Sequence, residues 1–324
     1  MVRVLSDEDI ASVLSLPDLL PVVEKALLAQ GRGAVERPER PHFPVGIDGD
    51  DPLGTGLVMP AAIHGRDHYA TKIVSVHEGN PERGLPTVNA QIALTDARTG
   101  QPTAFMDGSR ITNARTGCIG GLAARELAVG TDALTLGVVG AGAQARWQVR
   151  AIAAATRVGS VRVFSPSDSR QACAADLRTE GIDAHAVDSP QSAVEEADVV
   201  VTATTSAEPV FPADALADGS LTVAVGAYTA DMQEVPSGAI EDAATVFADV
   251  PEEVAAIGDV REAAFDPTDL VPFSDVLAGD AGRASPDDRI VVESVGTAVL
   301  DAATAEYVYD GAVEAAVGTD VELS

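Results

Sequence analysis

Lys72 is the first residue whose type and position suggest chemistry. Lys25 and Lys72 are the only lysines of a chain in which lysine and arginine together number 21. Lys72 stands inside residues 69–76 (YATKIVSV), an apolar stretch that is typical of a β-strand. A lysine in a partly dry cleft can shift its pKa and serve as an acid, a base or a carboxylate anchor. The alternative is an edge-strand lysine that points to water.

Arginines supply a second set of candidates for binding an anion. Arg115 lies among small and apolar residues in the stretch 111–117 (ITNARTG). Its guanidinium fork matches a carboxylate or a phosphate, although a structural ion pair is the alternative. Arg40, in residues 37–41 (RPERP), is a weaker candidate for the same role.

The stretch 134–146 (LTLGVVGAGAQAR) has the form of a strand, a tight glycine turn and a helix start. Gly140 suits the turn, Gly142 allows close approach of a pyrophosphate, and Ala145 lets the helix pack on the strand. Phosphates would bind the free N–H groups at the start of the helix. The alternative is a glycine-rich turn in an ordinary α/β domain. The candidate dinucleotide contacts in this turn are Gly140, Ala141, Gly142, Ala143 and Gln144.

The end of the next strand bears on which dinucleotide would bind. Residues 163–170 read VFSPSDSR, so Ser165 stands where an acid would grip the ribose hydroxyls of NAD. Ser167 and Arg170 are able to accept a 2′-phosphate. This pattern predicts NADP rather than NAD, and Asp168 is the residue that would reverse the preference.

The elements that position these residues divide into two groups. Four closely spaced strands are predicted at residues 56–63, 68–76, 88–95 and 102–106, which indicates an antiparallel sheet. Residues 31–44 are predicted to be a loop. From residue 134 onward strands alternate with helices, and a last helix at 296–309 is expected to return to the first group. The predicted fold is α/β: a Rossmann-type doubly wound parallel sheet plus a smaller α+β domain with an antiparallel sheet.

Composition excludes several classes of partner and site. The formal net charge of −29 disfavours nucleic acid and anionic membranes as partners. The acid-rich, lysine-poor and aromatic-poor composition resembles that of cytosolic proteins from salt-accumulating halophiles. Two cysteines, an acidic start without an apolar core and no long apolar run predict a cytoplasmic protein. The five histidines form no metal-spaced set with cysteine, so we expect no metal site.

The order and spacing of short motifs over residues 35–300 resemble the ornithine cyclodeaminase/mu-crystallin family. The motifs are Lys72-Ile73-Val74, Gly79-Asn80-Pro81, Gly84-Leu85-Pro86-Thr87, Asp107-Gly108, Thr112, Arg115-Thr116 and the glycine turn at Gly140. The resemblance implies a discontinuous substrate and dimerisation domain, residues 1–118 with 300–324. It implies a Rossmann dinucleotide-binding domain at residues 119–299. It also implies a homodimer that binds NAD(H) or NADP(H) and acts on amino or imino acids.

The resemblance further implies roles for single residues. Arg40, Lys72 and Arg115 match the residues that grip the substrate carboxylate. Thr87 and Thr116 match residues near the nicotinamide and the phosphates, and the loops at Val225 and Ser294 match those that line the coenzyme and active site. The remaining candidate coenzyme contacts are Arg115 and Thr202.

One departure from the family pattern bears on the reaction. Cyclodeaminases of this family have an aspartate two residues beyond the glycine of the Val-Gly loop, and Tyr228 takes that place here. Asp231 could substitute only if the loop bends. The departure favours a reductase of cyclic imino acids such as pyrroline-2-carboxylate, or an alanine dehydrogenase-like enzyme, with Lys72 or Tyr228 handling the proton. Ornithine cyclodeaminase is one alternative, and a non-catalytic binder of NADP(H) or another small ligand, like mu-crystallin, is another.

The net charge generates a prediction about salt. Mutual repulsion among the charges that give −29 destabilises the compact state in dilute buffer, and salt screens this repulsion. We expect the melting temperature to rise between dilute buffer and molar KCl, as measured by scanning calorimetry. A melting temperature that stays constant or falls over this range would contradict the interpretation.

Overall fold

The structure is a computed structural model that describes residues 1–48, 51–77, 79–130 and 133–322. The chain forms two units, one made of Met1–Arg115 and Thr297–Ser324 and the other of Thr116–Gly296. Both divisions lie a few residues before the boundaries that the sequence placed after residues 118 and 299. The first division falls inside a long helix.

The elements are as follows in chain order. Before and at the first division lie β1 (Val2–Leu5), α1 (Asp7–Val13), α2 (Leu16–Gly31), β2 (Val35–Glu36), β3 (His42–Asp48), β4 (Asp51–Ile63), β5 (His68–Val76), β6 (Val88–Asp96), β7 (Pro102–Asp107) and α3 (Ser109–Leu127). The second unit continues with β8 (Leu134–Val139), α4 (Ala143–Ala155), β9 (Val158–Phe164), α5 (Ser169–Thr179), β10 (Ala184–Ala186), α6 (Pro190–Val194), β11 (Val199–Thr202), β12 (Leu221–Ala224), α7 (Ser237–Glu241), β13 (Thr245–Ala248), α8 (Pro251–Val254), α9 (Gly258–Glu262), β14 (Val271–Pro272), α10 (Phe273–Ala278) and β15 (Ile290–Glu293). The chain then forms α11 (Ala298–Glu314) and β16 (Thr319–Val321).

The first unit is built on one sheet with the strand order β16-β1-β7-β6-β5-β4-β2, and β3 pairs with β4. The pairs β4–β5, β5–β6 and β6–β7 are antiparallel, while β1 joins β7 in parallel. Side chains alternate across β5, so Ala70 and Val74 are buried while Ile73 is exposed. Helix α11 packs against β4, β5 and α2. The return of the last helix to this unit agrees with the prediction.

Helix α11 is buried from Ala298 to Glu306 and begins with a side-chain cap. The Thr297 hydroxyl oxygen accepts a hydrogen bond from the Val299 N–H, and the hydroxyl donates to Gln30 Oε1 at 2.8 Å. Its first turns are kept narrow by Ala298, Ala302, Ala303 and Ala305, which lets the helix lie close to the sheet. Asp301 is carried into the interior by this packing and is 1% exposed.

The second unit contains a parallel sheet with the order β10-β9-β8-β11-β12-β15-β13-β14. All its strand pairs are parallel. From β8 the chain adds β9 and β10 toward one edge of the sheet, and from β11 it adds β12 and the later strands toward the other edge. The topological switch point therefore lies between β8 and β11. Crevices at the carboxyl ends of strands at such a point are the usual ligand sites of doubly wound sheets. The predicted fold class is therefore confirmed.

The prediction that residues 31–44 form a loop is wrong in part. They contain β2 and the first residues of β3, which pairs with β4 in register from His42 opposite Leu57. Prolines in this stretch concealed the strand from sequence patterns. Pro44 is tolerated because β3 pairs on one side only, with β4. Among the described residues, no helix is both long and apolar enough to cross a membrane.

Candidate functional site

Lys72 is a buried residue in the middle of β5. Its side chain points into the unit between Met59 of β4 and Ile92 of β6, the residues opposite it in register. It is 2% exposed, and its strand is flanked by neighbours on both sides. The alternative of an edge-strand lysine pointing to water is therefore wrong.

Asp301 of α11 bridges the two candidate cations. Its Oδ2 atom accepts a hydrogen bond from Lys72 Nζ at 2.6 Å, and its Oδ1 atom accepts one from Arg115 Nε at 3.0 Å. All three side chains are at most 5% exposed. Sequence reasoning missed Asp301, which is one of several acids in the sequence of α11.

Arg115 combines the two interpretations that the sequence left open. It lies in α3 and forms the ion pair with Asp301, so the structural ion pair exists. Its Nη1 atom is nevertheless buried without a hydrogen-bond partner among the described residues. A buried guanidinium N–H without an acceptor is costly, and an anionic ligand would satisfy it.

The electrostatics of this group follow from burial and mutual charge. Burial lowers the pKa of Lys72 to about 8; the Asp301 carboxylate opposes this decrease, and the charges of Arg115 and Arg40 add to it. Burial also acts to raise the pKa of Asp301. The charges of Arg115 and Lys72 and their hydrogen bonds outweigh burial, so the pKa of Asp301 lies below its usual value. Lys72 can therefore gain or lose a proton near neutral pH while Asp301 stays ionised.

Arg40 belongs to the same group of charges. It is half-buried, and its charge is among those that act on Lys72. Lys72 and Arg115 thus share one carboxylate, Asp301, and Arg40 adds a further positive charge that acts on Lys72. Two cations that share one carboxylate leave a local surplus of positive charge in a chain of net charge −29, which is the charge that a small anion such as a carboxylate would require.

Thr87 and Thr116 lie in different units. Thr87 directly precedes β6, is half-buried, and its carbonyl oxygen accepts the His77 N–H at 2.9 Å. Thr116 is the first residue of the second unit and is buried, with its carbonyl oxygen accepting from Gln148 Nε2 of α4 at 2.9 Å. Their proposed coenzyme contacts stay predictions.

The glycine turn has the backbone geometry that a phosphate cradle requires. Gly140 has φ +117°, and a Cβ there would lie 2.4 Å from the Ala203 carbonyl oxygen, so only glycine fits. Gly142 is the N-cap of α4 and is exposed, with no atom within 4 Å of the position of a Cβ. Ala141 is buried and Ala143 is exposed in the first turn of the helix. The open space in front of the free N–H groups suits the pyrophosphate of a dinucleotide.

Arg146 braces this turn and was not found from the sequence. Its Nη1 atom donates to the carbonyl oxygens of Ala141 and Gly142 at 2.5 and 3.1 Å. The Nε atom donates to Asp176 Oδ2 of α5 at 2.9 Å. By holding these two carbonyl oxygens, Arg146 fixes the backbone of the turn. Gln144 is half-buried in the same turn.

The residues after β9 form a hydroxyl chain. Ser169 Oγ lies 2.8 Å from Ser165 Oγ and 2.7 Å from Ser167 Oγ. The Arg170 Nη1 atom donates to the carbonyl oxygens of Ser165 and Ser167, both at 3.1 Å. Ser167, Asp168 and Ser169 are exposed, whereas Ser165 is buried. Arg170 therefore stabilises the loop through its backbone. Ser167 and Ser169 are the residues of the hydroxyl chain that are exposed to solvent.

Thr202, Val225 and Ser294 lie at the carboxyl ends of neighbouring parallel strands. Thr202 Oγ1 donates to Glu234 Oε2 at 3.1 Å, and Ser294 Oγ donates to Asp249 Oδ2 at 2.7 Å. Both hydroxyls thus donate to buried carboxylates and stabilise the chain segments that follow their strands. The half-buried Val225 follows β12.

Tyr228 and Asp231 lie in the loop after β12. Tyr228 is half-buried and packs against the apolar core of the second unit. Asp231 is exposed, and the hydrogen bond that it accepts from Thr229 Oγ1 at 2.7 Å lowers the pKa of its carboxyl. The described residues contain no group of three histidine, cysteine, aspartate or glutamate side chains able to hold a metal ion.

Comparison with known proteins identifies the family. The profile of the ornithine cyclodeaminase/mu-crystallin family matches residues 2–316, and the chain belongs to this family. A Delta(1)-pyrroline-2-carboxylate reductase of Bacillus cereus is 33% identical over 320 residues, which cover 95% of this chain and 97% of that protein.

Two solved structures extend this similarity to the fold. The reductase of the same name from Thermococcus litoralis, solved with NADH and L-proline, is 31% identical with a TM-score of 0.93 and covers 99% of this chain and 100% of its own. An archaeal alanine dehydrogenase dimer with bound NAD is 29% identical with a TM-score of 0.91 and covers 100% of this chain and 99% of its own. The predicted family, and the prediction of an NAD(P)-dependent enzyme acting on amino or imino acids, are confirmed.

The Asp301 bridge generates a prediction about pH. In Asp301→Asn the carboxylate that raises the Lys72 pKa is gone, while burial, Arg115 and Arg40 still lower it. A lysine that acts as a cation is active below its pKa and loses its charge as the pH rises. We expect the alkaline limb of kcat/KM, near pH 8 in the parent from the pKa of Lys72, to move down by about 1–3 pH units.

The control is Glu306→Gln on the same helix. The Glu306 carboxylate pairs with Arg66 and His68 and is absent from the charges that act on Lys72. We expect its pH profile to match that of the parent enzyme. An unmoved alkaline limb in Asp301→Asn, with the enzyme folded, would show that Lys72 does not set this limb.

Proposed function

We propose that this protein is an NAD(P)H-dependent reductase of a cyclic imino acid, with Delta(1)-pyrroline-2-carboxylate as the substrate. The observation that carries the proposal is the buried group in which Lys72 and Arg115 share the Asp301 carboxylate, with the charge of Arg40 acting on Lys72. A planar imino acid offers the carboxylate that this surplus of positive charge attracts. Its ring nitrogen accepts a proton when the C=N bond is reduced.

The roles of the residues follow from their hydrogen-bonding groups. The Nη1 group of Arg115, which has no partner among the described residues, donates to the substrate carboxylate, and Arg40 adds charge to the same end. Lys72, with a pKa of about 8, is protonated at neutral pH and supplies or orients the proton for the imine nitrogen. The bound coenzyme supplies the hydride to the imine carbon, which yields proline.

The loop after β12 favours reduction over cyclodeamination. Cyclodeamination needs a carboxylate to bind and deprotonate an attacking ammonium. Tyr228 is a phenol whose reference pKa of about 10 leaves it neutral at pH 7. Asp231 is exposed and engaged by Thr229, and hydride delivery with one proton donor does not require it.

We propose the second unit as the coenzyme domain and the first as the substrate and dimerisation domain. The exposed Gly142, the start of α4 and the turn at Gly140 suit the pyrophosphate. Ser165 in place of an acid, and the open hydroxyls of Ser167 and Ser169, favour NADPH over NADH. Both comparison structures carry the non-phosphorylated coenzyme, so the two coenzymes must be compared directly.

The outer face of the first sheet supports a homodimer. A row of uncharged residues crosses five strands on the face opposite Lys72, and neighbours in the row are opposite each other in register: Pro60, Thr71, Ala93, Phe105 and Val4. Phe105 and Val4 are 41% and 38% exposed, and Ile73 on the next row is 44% exposed. An uncharged, partly exposed row on a strongly acidic chain suits a second copy of this chain, since C2 symmetry pairs identical patches. The archaeal alanine dehydrogenase is a dimer.

The proposed setting is the cytoplasm of a salt-accumulating cell. Both cysteines, Cys118 and Cys173, are free and buried, as a reducing compartment allows. The acidic surface gives the reason to assay the enzyme in concentrated KCl. Salt also weakens the attraction of exposed charges for the substrate, whereas buried pairs are screened much less.

The activity test follows NAD(P)H loss with Delta(1)-pyrroline-2-carboxylate. We expect turnover in the parent enzyme, a lower KM for NADPH than for NADH, and a fall in kcat of about 10²–10⁴-fold in Lys72→Met, because the proton donor is removed. Fluorescence titration of Lys72→Met with NADPH should show unchanged coenzyme binding. Near-parental turnover in this folded variant would remove Lys72 from the mechanism.

A second assay separates reduction from cyclodeamination. With ornithine and catalytic NAD we expect no useful release of ammonia, since no carboxylate occupies the position of Tyr228. Robust ammonia release would make ornithine cyclodeaminase the better assignment and Asp231 the residue to replace next. NAD(P)H formation from alanine without imine reduction would favour an amino-acid dehydrogenase instead.

The dimer is tested by Phe105→Glu. The added carboxylate would face its own copy across the interface, so we expect light scattering to report a monomer where the parent is a dimer. The control is Val313→Glu on α11, a change at a residue that is 48% exposed and outside the sheet face. A dimeric Phe105→Glu protein would exclude this face as the interface.

A further inference from the structure

The second unit buries four carboxylates near the carboxyl ends of its parallel strands. Glu234, Asp249, Asp259 and Glu293 are each at most 4% exposed. Glu293 is the last residue of β15, Asp249 directly follows β13, Asp259 lies in α9, and Glu234 lies in the segment after β12. A buried carboxylate is stable only when donors or a positive charge compensate it.

Glu234 ties together two loops at this edge. Its carboxylate accepts hydrogen bonds from the Thr204 N–H after β11, from the Gly226 N–H after β12 at 2.7 Å, and from Thr202 Oγ1. A Cβ at Gly226 would lie 2.3 Å from the Thr204 carbonyl oxygen and 2.6 Å from Glu234 Oε1. Glycine is therefore required at Gly226 for the two loops to share this carboxylate.

Asp259 in turn holds the segment that carries Glu234. Its Oδ1 atom accepts the N–H groups of Glu234 and Val235 at 2.6 and 2.9 Å. Its Oδ2 atom is buried and has no donor among the described residues, and the same is true of Glu293 Oε1. The backbone thus satisfies one oxygen of Asp259 and leaves the other without a partner.

The charges that act on Glu293 come from three elements and are all negative. They are, in decreasing order, those of Asp259 in α9, Glu234 after β12 and Asp249 after β13. Burial is the largest influence, and it raises the pKa of Glu293 well above its ordinary value together with these charges. Burial also raises the pKa of Asp259 to about 6, and burial together with the charge of Asp259 raises the pKa of Glu234 to about 7. Glu293 therefore keeps its proton at a pH where an exposed glutamate is ionised.

We infer that Glu293 and Asp259 share one proton in the folded protein, and that this carboxyl–carboxylate pair positions, through Glu234, the loops that follow β11 and β12. A proton held within this pair compensates the two buried oxygens, Glu293 Oε1 and Asp259 Oδ2, that no donor reaches among the described residues. Asp259 then keeps its acceptor role toward the Glu234 and Val235 N–H groups. The further statement that these loops serve the coenzyme rests on the proposed function.

The shared proton predicts a specific dependence of stability on pH. An acid whose pKa is higher in the folded than in the unfolded chain releases its proton on unfolding between these two pKa values. The free energy of unfolding then falls as the pH rises from about 4.5, the ordinary value for glutamate, toward the folded pKa. Removing the titration of Glu293 should reduce this fall.

The test compares two isosteric substitutions, Glu293→Gln and Glu234→Gln. In Glu293→Gln the amide N–H replaces the shared proton, so we expect a melting temperature equal to or above the parent value at alkaline pH and a smaller decrease from about pH 5 to about pH 9. In Glu234→Gln the amide group faces backbone N–H donors that the carboxylate accepted. We expect a lower melting temperature at every pH and several-fold weaker NAD(P)H binding.

Two measurements make the outcome decisive. Infrared difference spectra should show a protonated carboxyl C=O band at alkaline pH in the parent and in Glu234→Gln, and no such band in Glu293→Gln. Coenzyme binding should weaken with rising pH in the parent and less in Glu293→Gln. If the melting temperatures and infrared spectra change as expected but NAD(P)H binding does not, the shared proton is supported. The assignment of these loops to the coenzyme is then contradicted.

Three results would overturn the inference. The first is a Glu293→Gln protein destabilised at alkaline pH as strongly as Glu234→Gln. The second is a protonated carboxyl band that persists in Glu293→Gln. The third is a parent melting temperature that falls with EDTA and recovers with Mg²⁺, because a cation rather than a proton would then compensate the cluster.

Discussion

The first unit depends on a buried carboxylate that two cations share. Asp301 joins Lys72 and Arg115, residues 229 and 186 positions away along the chain. Each ion costs several kcal/mol to remove from water, and only close pairing with good hydrogen bonds compensates this cost. Strand β5, helix α3 and helix α11 must therefore all be in place before any of the three side chains is stable. This requirement gives a physical reason for the last helix to return to the first unit.

Buried ion pairs are seldom the best way to stabilise a fold, because apolar side chains of similar volume do as well or better. The proposed function gives the Asp301 group a role in binding instead. It fixes two cationic groups in a dry environment while leaving the Arg115 Nη1 group without a partner among the described residues. A ligand carboxylate arriving there meets donors that are already oriented, so little ordering remains to be done on binding.

The sequence predicts the parts of the site that are local and misses those that depend on long-range packing. Lys72 was identifiable because lysine is rare in this chain, and Gly140 because its turn follows a strand and precedes a helix. Asp301 was missed because aspartate and glutamate together number 50, so one more acid carries little information. The same abundance concealed Glu234 and Glu293, whose burial follows from the order of the parallel strands. Strand β3 was missed because Pro44 is unfavourable in most strands and acceptable only in one that pairs on one side.

The two units show how environment decides the state of the same chemical group. Asp301 is buried among cations, and its pKa lies below the ordinary value; Glu293 is buried among carboxylates, and its pKa lies well above it. The ionised Asp301 holds cations in place and so prepares a site for an anion. A neutral Glu293 donates a hydrogen bond where an ionised one would repel Asp259. Because Asp259 and Glu234 then accept backbone N–H groups, the protonation of one side chain is transmitted to the loops at the edge of the parallel sheet. Burial acts to raise the pKa of both carboxyl groups. The sign of the neighbouring charges decides that Asp301 stays ionised while Glu293 keeps its proton.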